Sequence, residues 1–393
     1  MIEHLNVVFV GSFPYPHGMA GTKRIQHAID FFREQGVYTS VLVLRQSSLN
    51  NPLSGIYNGT PYETAVGDVN GRTLLMALPK LYFKAMSFFR RNRLSEGKNI
   101  IYNYGPLALE NWLPLYYAKY LGYKIVFDIV EDYDVAHITA HSFLQRMSIG
   151  FVNRISNKMK HLASGIIVIS SHLEKKYHEL MQGKVPVHYR PISVKMDCFP
   201  DRPTSAKETV SLFYAGSFGK KDGLIFLLEA FERLAAKNAN LRLILTGRGD
   251  SESTKTFLSR LEVSPFKDKI EYKGYLDDDS YYAVLSSADI LCMTRIDMPY
   301  AHAGFPFKLG EYLASGKPVI ASRVSDVDNF IVDRQSAMLV KPGHSQDIVE
   351  AAEYLIENRD VAAIIGLRGR EVARSNFEYR NQGQKFLSYL RKI

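Results

Sequence analysis

The sequence predicts two doubly wound α/β domains in tandem, each a largely parallel sheet covered by helices. Three observations predict it. Apolar runs of strand length end in glycine at Leu5–Gly11 and again at Val210–Gly216. After each, strand-length runs alternate with longer amphipathic stretches of helical period. The charge also divides: residues 1–200 hold 22 Lys and Arg against 14 Asp and Glu, whereas residues 201–393 hold 27 against 26. A polar stretch with two prolines, 197–209, reads as the linker. This gives an N-terminal domain at 1–196, a second domain at 210–374 and an amphipathic C-terminal helix at 375–393.

Composition bounds the possibilities. A chain of 393 residues with 46% hydrophobic and 23% charged residues is globular and long enough for two cores. Its two cysteines, Cys198 and Cys292, lack metal-ligand spacing, which argues against a disulfide framework or a zinc site and fits a reducing compartment. No signal peptide and no membrane-spanning run are expected, because no apolar stretch reaches about 18 residues. The net charge of +9 implies an anionic partner: nucleic acid, a membrane surface or a polyanionic substrate.

In the first half, residues 5–11 form a buried strand, followed by the loop SFPYPHGMAGTKR and a helix near 22–35. The loop lacks the G-x-G-x-x-G fingerprint, which weakens a nicotinamide reading. Gly18 and Gly21, with Thr22 beside them, can let backbone approach a ligand at the helix start, or can serve the turn alone. A second strand spans 37–44, and 46–72 read as loop with short strands. The stretch 74–98 is a helix rich in Leu, Met, Tyr and Phe, carrying Lys80, Lys84, Arg90, Arg91, Arg93 and Lys98. Such a helix either lies in an anionic membrane interface or is a domain helix with a solvated basic face. A third strand at 99–105 and a helix at 108–121, interrupted by Pro114, lead to the strand and exit loop at 124–134. Glu131, Asp132 and Asp134 sit where open α/β sheets place ligand groups; helix capping and solvated acids are the alternative. A basic amphipathic helix at 141–162 extends the charged surface. A strand then enters a helix capped by Ser170 or Ser171, and the last strand region of this half is VPVHYRPISV.

The second half restarts with the strand 210–216, then a loop holding Gly216, Ser217, Lys220, Lys221, Asp222 and Gly223, then a helix. A strand with a Gly-rich turn covers 241–250. Residues 269–295 read as strand, turn, helix and strand, with Arg295 at the exit. Asp277 to Asp279 resemble a metal-binding cluster, but acids opening a helix suit its dipole better. After 303–324, the segment from Ala337 reads as strand, Lys341-Pro342-Gly343 turn and a helix capped by Ser345.

The most informative stretch is 303–324, AGFPFKLGEYLASGKPVIASRV. Pro306 can open a helix, Gly316 is a left-handed stop, Pro318 forbids continuation, and Val319 to Ala321 form a short buried strand. A helix start attracts phosphate. Lys308 stands in the first turn, the wrong end for the helix dipole unless an anion sits beside it. Glu311, about one turn further, can accept two hydrogen bonds from a vicinal diol. These residues read as a nucleoside-diphosphate site or, equally, as a crossover helix with a surface Lys and Glu.

This stretch resembles the donor-binding helix of GT-B glycosyltransferases, the retaining group called family 4 (group 1). Gly304, Phe305, Glu311, Ala314, Gly316, Pro318, Val319 and Ile320 match the pattern E-G-F-G-x-x-x-x-E-A-M-A-x-G-x-P-V-I in register, and the variant F-P-x-K-L-x-E-Y-L-A-x-G-K-P-V-I matches nearly throughout. Ala303 departs from it: the family has a Glu there that touches the donor sugar. The resemblance implies two Rossmann-like domains facing a cleft, with the C-terminal helix crossing back to the first. It places the donor diphosphate near Gly216 and Ser217, where Lys220 or Lys221 stand in for a displaced Arg-Lys pair. Pro306, Phe307, Lys308, Glu311 and Arg295 complete the donor site, and Tyr275 and Leu276 are candidates for base contact. The loop with Gly18, Gly21 and Thr22 then borders the acceptor. Asp132 falls on the Asp of a His-Asp or Arg-Asp pair, with Glu131 in its partner's place.

The function implied is a retaining glycosyltransferase that uses a nucleotide-diphosphate sugar, UDP-sugar favoured over GDP-sugar. The acceptor implied is a glycan or lipid-linked molecule in bacterial surface polysaccharide or glycoconjugate synthesis. Neither a metal nor another cofactor is expected, nor a nucleic-acid partner. The location implied is cytoplasmic, peripheral on the inner membrane face through 74–98 and 141–162. Two other classes stay open: a sugar-nucleotide 2-epimerase-like isomerase, and a catalytically weak nucleotide-sugar-binding protein.

Overall fold

The computed structural model describes residues 4–46, 51–69, 71–132, 158–200, 208–248 and 251–393. The chain divides into two compact units, Met1–Pro191 with Tyr379–Ile393, and Ile192–Glu378. The first boundary falls at Pro191, before the expected 196. The residues that follow are tied to the second unit: the Val194 N–H donates to the Phe377 carbonyl at 2.8 Å, and Val194 pairs with Glu378. The C-terminal switch falls at Tyr379, after the expected 375, for the same reason. Of the expected linker, 201–207 lie outside the described residues.

The first unit holds β1 (Leu5–Gly11), α1 (Ala20–Glu34), β2 (Tyr38–Arg45), the hairpin β3 (Ser54–Tyr57) and β4 (Thr60–Val66), α2 (Gly71–Arg91), β5 (Lys98–Tyr104), α3 (Trp112–Tyr120), β6 (Lys124–Ile129), β7 (Ala163–Val168), α4 (Ser171–Met181) and β8 (Val187–Tyr189). Its strand order is β3-β4-β2-β1-β5-β6-β7-β8, parallel except for the β3–β4 pair. Chain order reverses between β1 and β5, so the loops after these strands flank the switch point, the usual ligand side of such a sheet. The strands read as continuous apolar runs because both faces are covered; all seven residues of β1 are buried. Ser170 caps α4, its hydroxyl accepting from the Leu173 N–H at 3.3 Å, as expected. Of the helix expected at 141–162, residues 141–157 lie outside the described residues.

The second unit holds β9 (Val210–Gly216), α5 (Leu224–Lys237), β10 (Leu241–Gly247), α6 (Ser251–Glu262), β11 (Ile270–Tyr272), α7 (Asp278–Ser287), β12 (Ile290–Met293), α8 (Phe307–Ala314), β13 (Val319–Ser322), β14 (Met338–Val340), α9 (Ser345–Glu357) and α10 (Arg359–Asn376). Its six parallel strands run β11-β10-β9-β12-β13-β14, with the switch between β9 and β12. Pro306 stands at the cap of α8 rather than inside it, and Gly316 adopts φ +73° as the stop. Ser345 is the first residue of α9 and His344 occupies the cap; Asp347 accepts there from the Lys341 N–H at 3.1 Å and bonds the His344 ring at 2.5 Å.

The last helix, α11 (Tyr379–Lys392), packs on α1 in the first unit, with the Phe386 ring 5.0 Å from Phe32. The His188 ring stacks on Tyr389 of α11 at 4.7 Å, and its Nε2 is buried with no hydrogen-bond partner. Burial, then the charges of Arg190 and Arg24, lower its pKa from 6.5 to about 4. The unfolded chain therefore takes up this proton first on acidification. The stability His188 contributes is complete above pH 6.5 and is lost between pH 6.5 and about 4. The loss reaches at most about 3 kcal/mol. Thermal melts across this range should show a midpoint drop that His188→Phe flattens; an equal drop in the variant would exclude His188 as its source.

Candidate functional site

In the second unit, α8 brings the expected nucleotide residues to the switch point. Lys308 is the only residue of α8 that is not buried. Glu311 is 2% exposed and accepts a hydrogen bond from the Tyr281 hydroxyl through Oε2 at 2.7 Å. Lys308 Nζ lies 3.3 Å from the same oxygen and 4.0 Å from the centre of the Tyr281 ring. Burial, then the Glu311 carboxylate, push the Tyr281 phenol well above its usual pKa, so it remains a donor. The anion beside Lys308 that the helix dipole demands is thus Glu311 itself. Tyr281, from α7, is a member of this cluster that sequence reasoning missed. The helical spacing of 308 and 311 was the only local signal, and it shows nothing of a residue 30 positions away.

The loop after β9 folds on itself. The Ser217 hydroxyl donates to Asp222 Oδ2 at 2.6 Å, and the Gly219 N–H donates to the same oxygen at 3.2 Å. Burial raises the Asp222 pKa against these bonds and the charges of Arg295 and Lys221. Ser217 and Asp222, which stand where a basic pair was expected, therefore shape the turn. Gly216 ends β9 in register with Gly247 of β10, and Lys221 is partly exposed. The side chain of Lys220 lies outside the described residues. The Arg295 N–H donates to Ser322 Oγ at 2.9 Å, which fixes the exit of β12 against the end of β13.

Pro306 and Phe307 are buried, the first at the cap of α8 and the second as its first residue. Ala303 is fully buried at the end of the short helix Pro299–Ala303. Tyr275 is 51% exposed, and the Arg248 guanidinium stands 5.6 Å from its ring centre; Leu276 beside it is partly buried. Arg248, missed in the sequence, lies one residue past the glycine that ends β10. Asp277 caps α7, its carboxylate accepting from the Ser280 N–H at 2.8 Å, and that bond lowers its pKa. Among the described residues, no three His, Cys, Asp or Glu side chains gather to hold a metal ion.

In the first unit, the loop after β1 is tightly tied. Thr22 is 2% exposed and its hydroxyl donates to the Pro14 carbonyl at 2.6 Å, so this side chain holds the loop together. A Cβ on Gly18 would collide with the Thr22 hydroxyl, and one on Gly21 would lie 2.7 Å from the Tyr104 hydroxyl; both glycines serve close packing. Beyond β6, the Asp132 side chain is 6% exposed and pairs with Lys176 Nζ at 2.6 Å and His172 Nε2 at 3.3 Å. Both partners come from α4, while Glu131, which stands in the partner's place in the sequence, is exposed. Asp134 lies outside the described residues. His172 and Lys176 are one turn apart on α4, a pattern the sequence contains but cannot aim.

Helix α2 presents Leu75, Met76 and Phe83 at 57%, 83% and 76% exposure, with Lys80, Arg90 and Arg91 exposed alongside. No described helix is long and apolar enough to cross a membrane.

Residues 209–358 match the family model described as glycosyl transferases group 1. The phosphatidyl-myo-inositol mannosyltransferase of Mycobacterium leprae is 27% identical over 138 residues, 35% of this chain and 34% of that protein. The MMP alpha-(1->4)-mannosyltransferase of Mycolicibacterium hassiacum is 22% identical over 239 residues, 61% of this chain and 56% of that protein. The matched stretches thus span about a third to a half of these relatives' lengths. Among solved structures, the sucrose-phosphate synthase of Thermosynechococcus elongatus superposes with TM-score 0.77 at 15% identity, covering 99% of both chains. Anabaena HepE in complex with UDP-glucose superposes with TM-score 0.74 at 15% identity, covering 99% of this chain and 100% of that one.

Proposed function

We propose that this chain, with the GT-B glycosyltransferase fold and a group 1 glycosyltransferase domain over residues 209–358, transfers a hexose from a nucleotide-diphosphate sugar to a glycan or lipid-linked acceptor with retention at the anomeric carbon. The observation that carries this reading is the Tyr281–Glu311–Lys308 cluster at the start of α8, beside the switch point of the second sheet. The donor is assigned to the second unit. Lys308, Lys221 or Lys220, Arg295 and the first-turn N–H groups of α8 offset the charge that builds on the leaving diphosphate. Glu311 receives the ribose hydroxyls. Tyr275, with Leu276, is the surface offered to the base. A UDP-sugar is favoured over a GDP-sugar, and the complex of Anabaena HepE with UDP-glucose supports that choice.

The acceptor is assigned to the first unit. Asp132, oriented by His172 and Lys176 and flanked by Glu131, faces the transferred sugar or the acceptor hydroxyl. Gly18, Gly21 and Thr22 keep the loop after β1 in one shape. The basic first half and the apolar-basic face of α2 suit a lipid-linked acceptor at an anionic membrane surface, as in surface polysaccharide assembly. The relative named phosphatidyl-myo-inositol mannosyltransferase is consistent with this acceptor class.

Incubation with UDP- and GDP-sugars, with and without acceptor, tests the reading. A transferred product that still forms in EDTA is the expected result, because side-chain cations take the place of a metal here. An altered donor would favour isomerisation, and an unchanged donor that still raises the melting temperature would reduce the chain to a binding protein.

A further inference from the structure

We infer that the amino edge of the first unit's sheet carries a separate binding site for a phosphate or phosphate ester. A groove of about 400 Å³ lies there, walled by the first residues of β1, β2 and β4 and by the ends of α1 and α2. Arg33, Arg91 and Arg93 line it, and no Asp or Glu does. Arg91 pairs with Glu63 at 2.8 Å, but both side chains are solvated, at 59% and 28% exposure, so that pair leaves most of the positive field in place. Ser40 also lines the groove; it is 3% exposed and its hydroxyl is buried with no hydrogen-bond partner.

A cation in the last turn of a helix complements the helix dipole, which accounts for Arg33 on α1 and Arg91 on α2. It does not account for Arg93, which lies beyond α2, or for the orphan Ser40 hydroxyl that lines the same groove. A buried hydroxyl without a partner is costly unless an acceptor reaches it. An oxyanion supplies that acceptor, and guanidinium groups bind phosphate oxygens in pairs. The exposed face of α2 runs along the same helix to Arg91 at the groove. The phosphate therefore comes either from a phospholipid headgroup or from a soluble phosphate ester.

Two measurements on the full chain separate these sources. Inorganic phosphate is titrated while the side-chain Nε–H signals of Arg33 and Arg93 are followed by NMR. Sedimentation with phosphatidylglycerol vesicles, against phosphatidylcholine vesicles, is compared between the wild type and Arg33→Gln/Arg93→Gln. Vesicle binding weakened about tenfold in the double variant assigns the headgroup, with or without phosphate shifts. Phosphate-induced shifts with unchanged vesicle binding assign a soluble ester. No shift at either arginine together with equal sedimentation of both proteins overturns the inference. Both arginines are exposed, and Arg93→Gln alone is the milder variant should the double one fold poorly. The headgroup arm shares the exposed face of α2 with the acceptor reading, whereas the donor reading at α8 lies in the other unit and stands or falls by nucleotide binding alone.

Discussion

Glu311→Gln is expected to weaken binding of the donor nucleotide at least about tenfold while the chain remains folded. The substitution keeps an oxygen for the Tyr281 hydroxyl, so the 2.7 Å bond has a replacement. It removes the charge that faces Lys308 at 3.3 Å and that would grip two ribose hydroxyls. Glu311→Ala should differ in kind. It leaves the Tyr281 hydroxyl, on a residue only 5% exposed, without its acceptor, at a cost to folding of about 1–3 kcal/mol. Calorimetric titration with UDP and GDP reads the first effect, and urea denaturation reads the second. Wild-type nucleotide affinity in a folded Glu311→Gln protein would remove Glu311 from the donor site.

What the sequence disclosed follows from how local each signal is. Strand β9, the stop at Gly316 and the placement of Lys308 and Glu311 on one helix rest on neighbours within a few residues, and these stand in the structure. The resemblance around 303–320 extended that reading to the fold. The partners that give the site its chemistry were invisible because they come from elsewhere in the chain. Tyr281 reaches Glu311 across 30 positions, and His172 and Lys176 reach Asp132 across 40 and 44. Periodicity reports which face of a helix is buried but not which residue waits opposite it. The unit boundary at Pro191 shows the same limit: proline and polar composition mark 197–209 as linker, while contacts with residues far along the chain, such as the Val194 N–H on the Phe377 carbonyl, tie the segment from Ile192 to the second unit.

Asp128→Asn is expected to destabilise the first unit by about 3–5 kcal/mol, the cost of leaving a buried charge uncompensated. Asp128 is fully buried in β6 and accepts from Arg24 Nε at 2.7 Å and Nη2 at 2.9 Å, and from the Tyr102 hydroxyl. A second buried guanidinium lies in the field of this carboxylate: Arg190 is 1% exposed, donates to the Arg24 carbonyl at 3.2 Å and stacks over the Phe386 ring at 4.7 Å. Burial, then the charge of Arg24, lower the Arg190 pKa to about 10; at Arg24 burial is overcome by the charge and hydrogen bond of Asp128 together with Tyr102 and Tyr104, and that group is raised. The arrangement makes the two halves of the pair unequal. Arg24→Met removes one guanidinium and leaves Asp128 facing Arg190, a one-to-one balance. Asp128→Asn leaves two buried cations and no anion, so it should cost clearly more than Arg24→Met, and Arg190→Met added to it should restore part of the loss. The single tryptophan, Trp112 on α3, lies in this unit, so its fluorescence in urea follows the relevant transition. A midpoint for Asp128→Asn equal to or above that of Arg24→Met would mean that Asp128 does not balance both arginines. The cluster joins α1 to β6 and, through Arg190, to α11. The Asp128→Asn variant should therefore also loosen the loop after β1, and protection of its amides from hydrogen exchange should fall together with the urea midpoint.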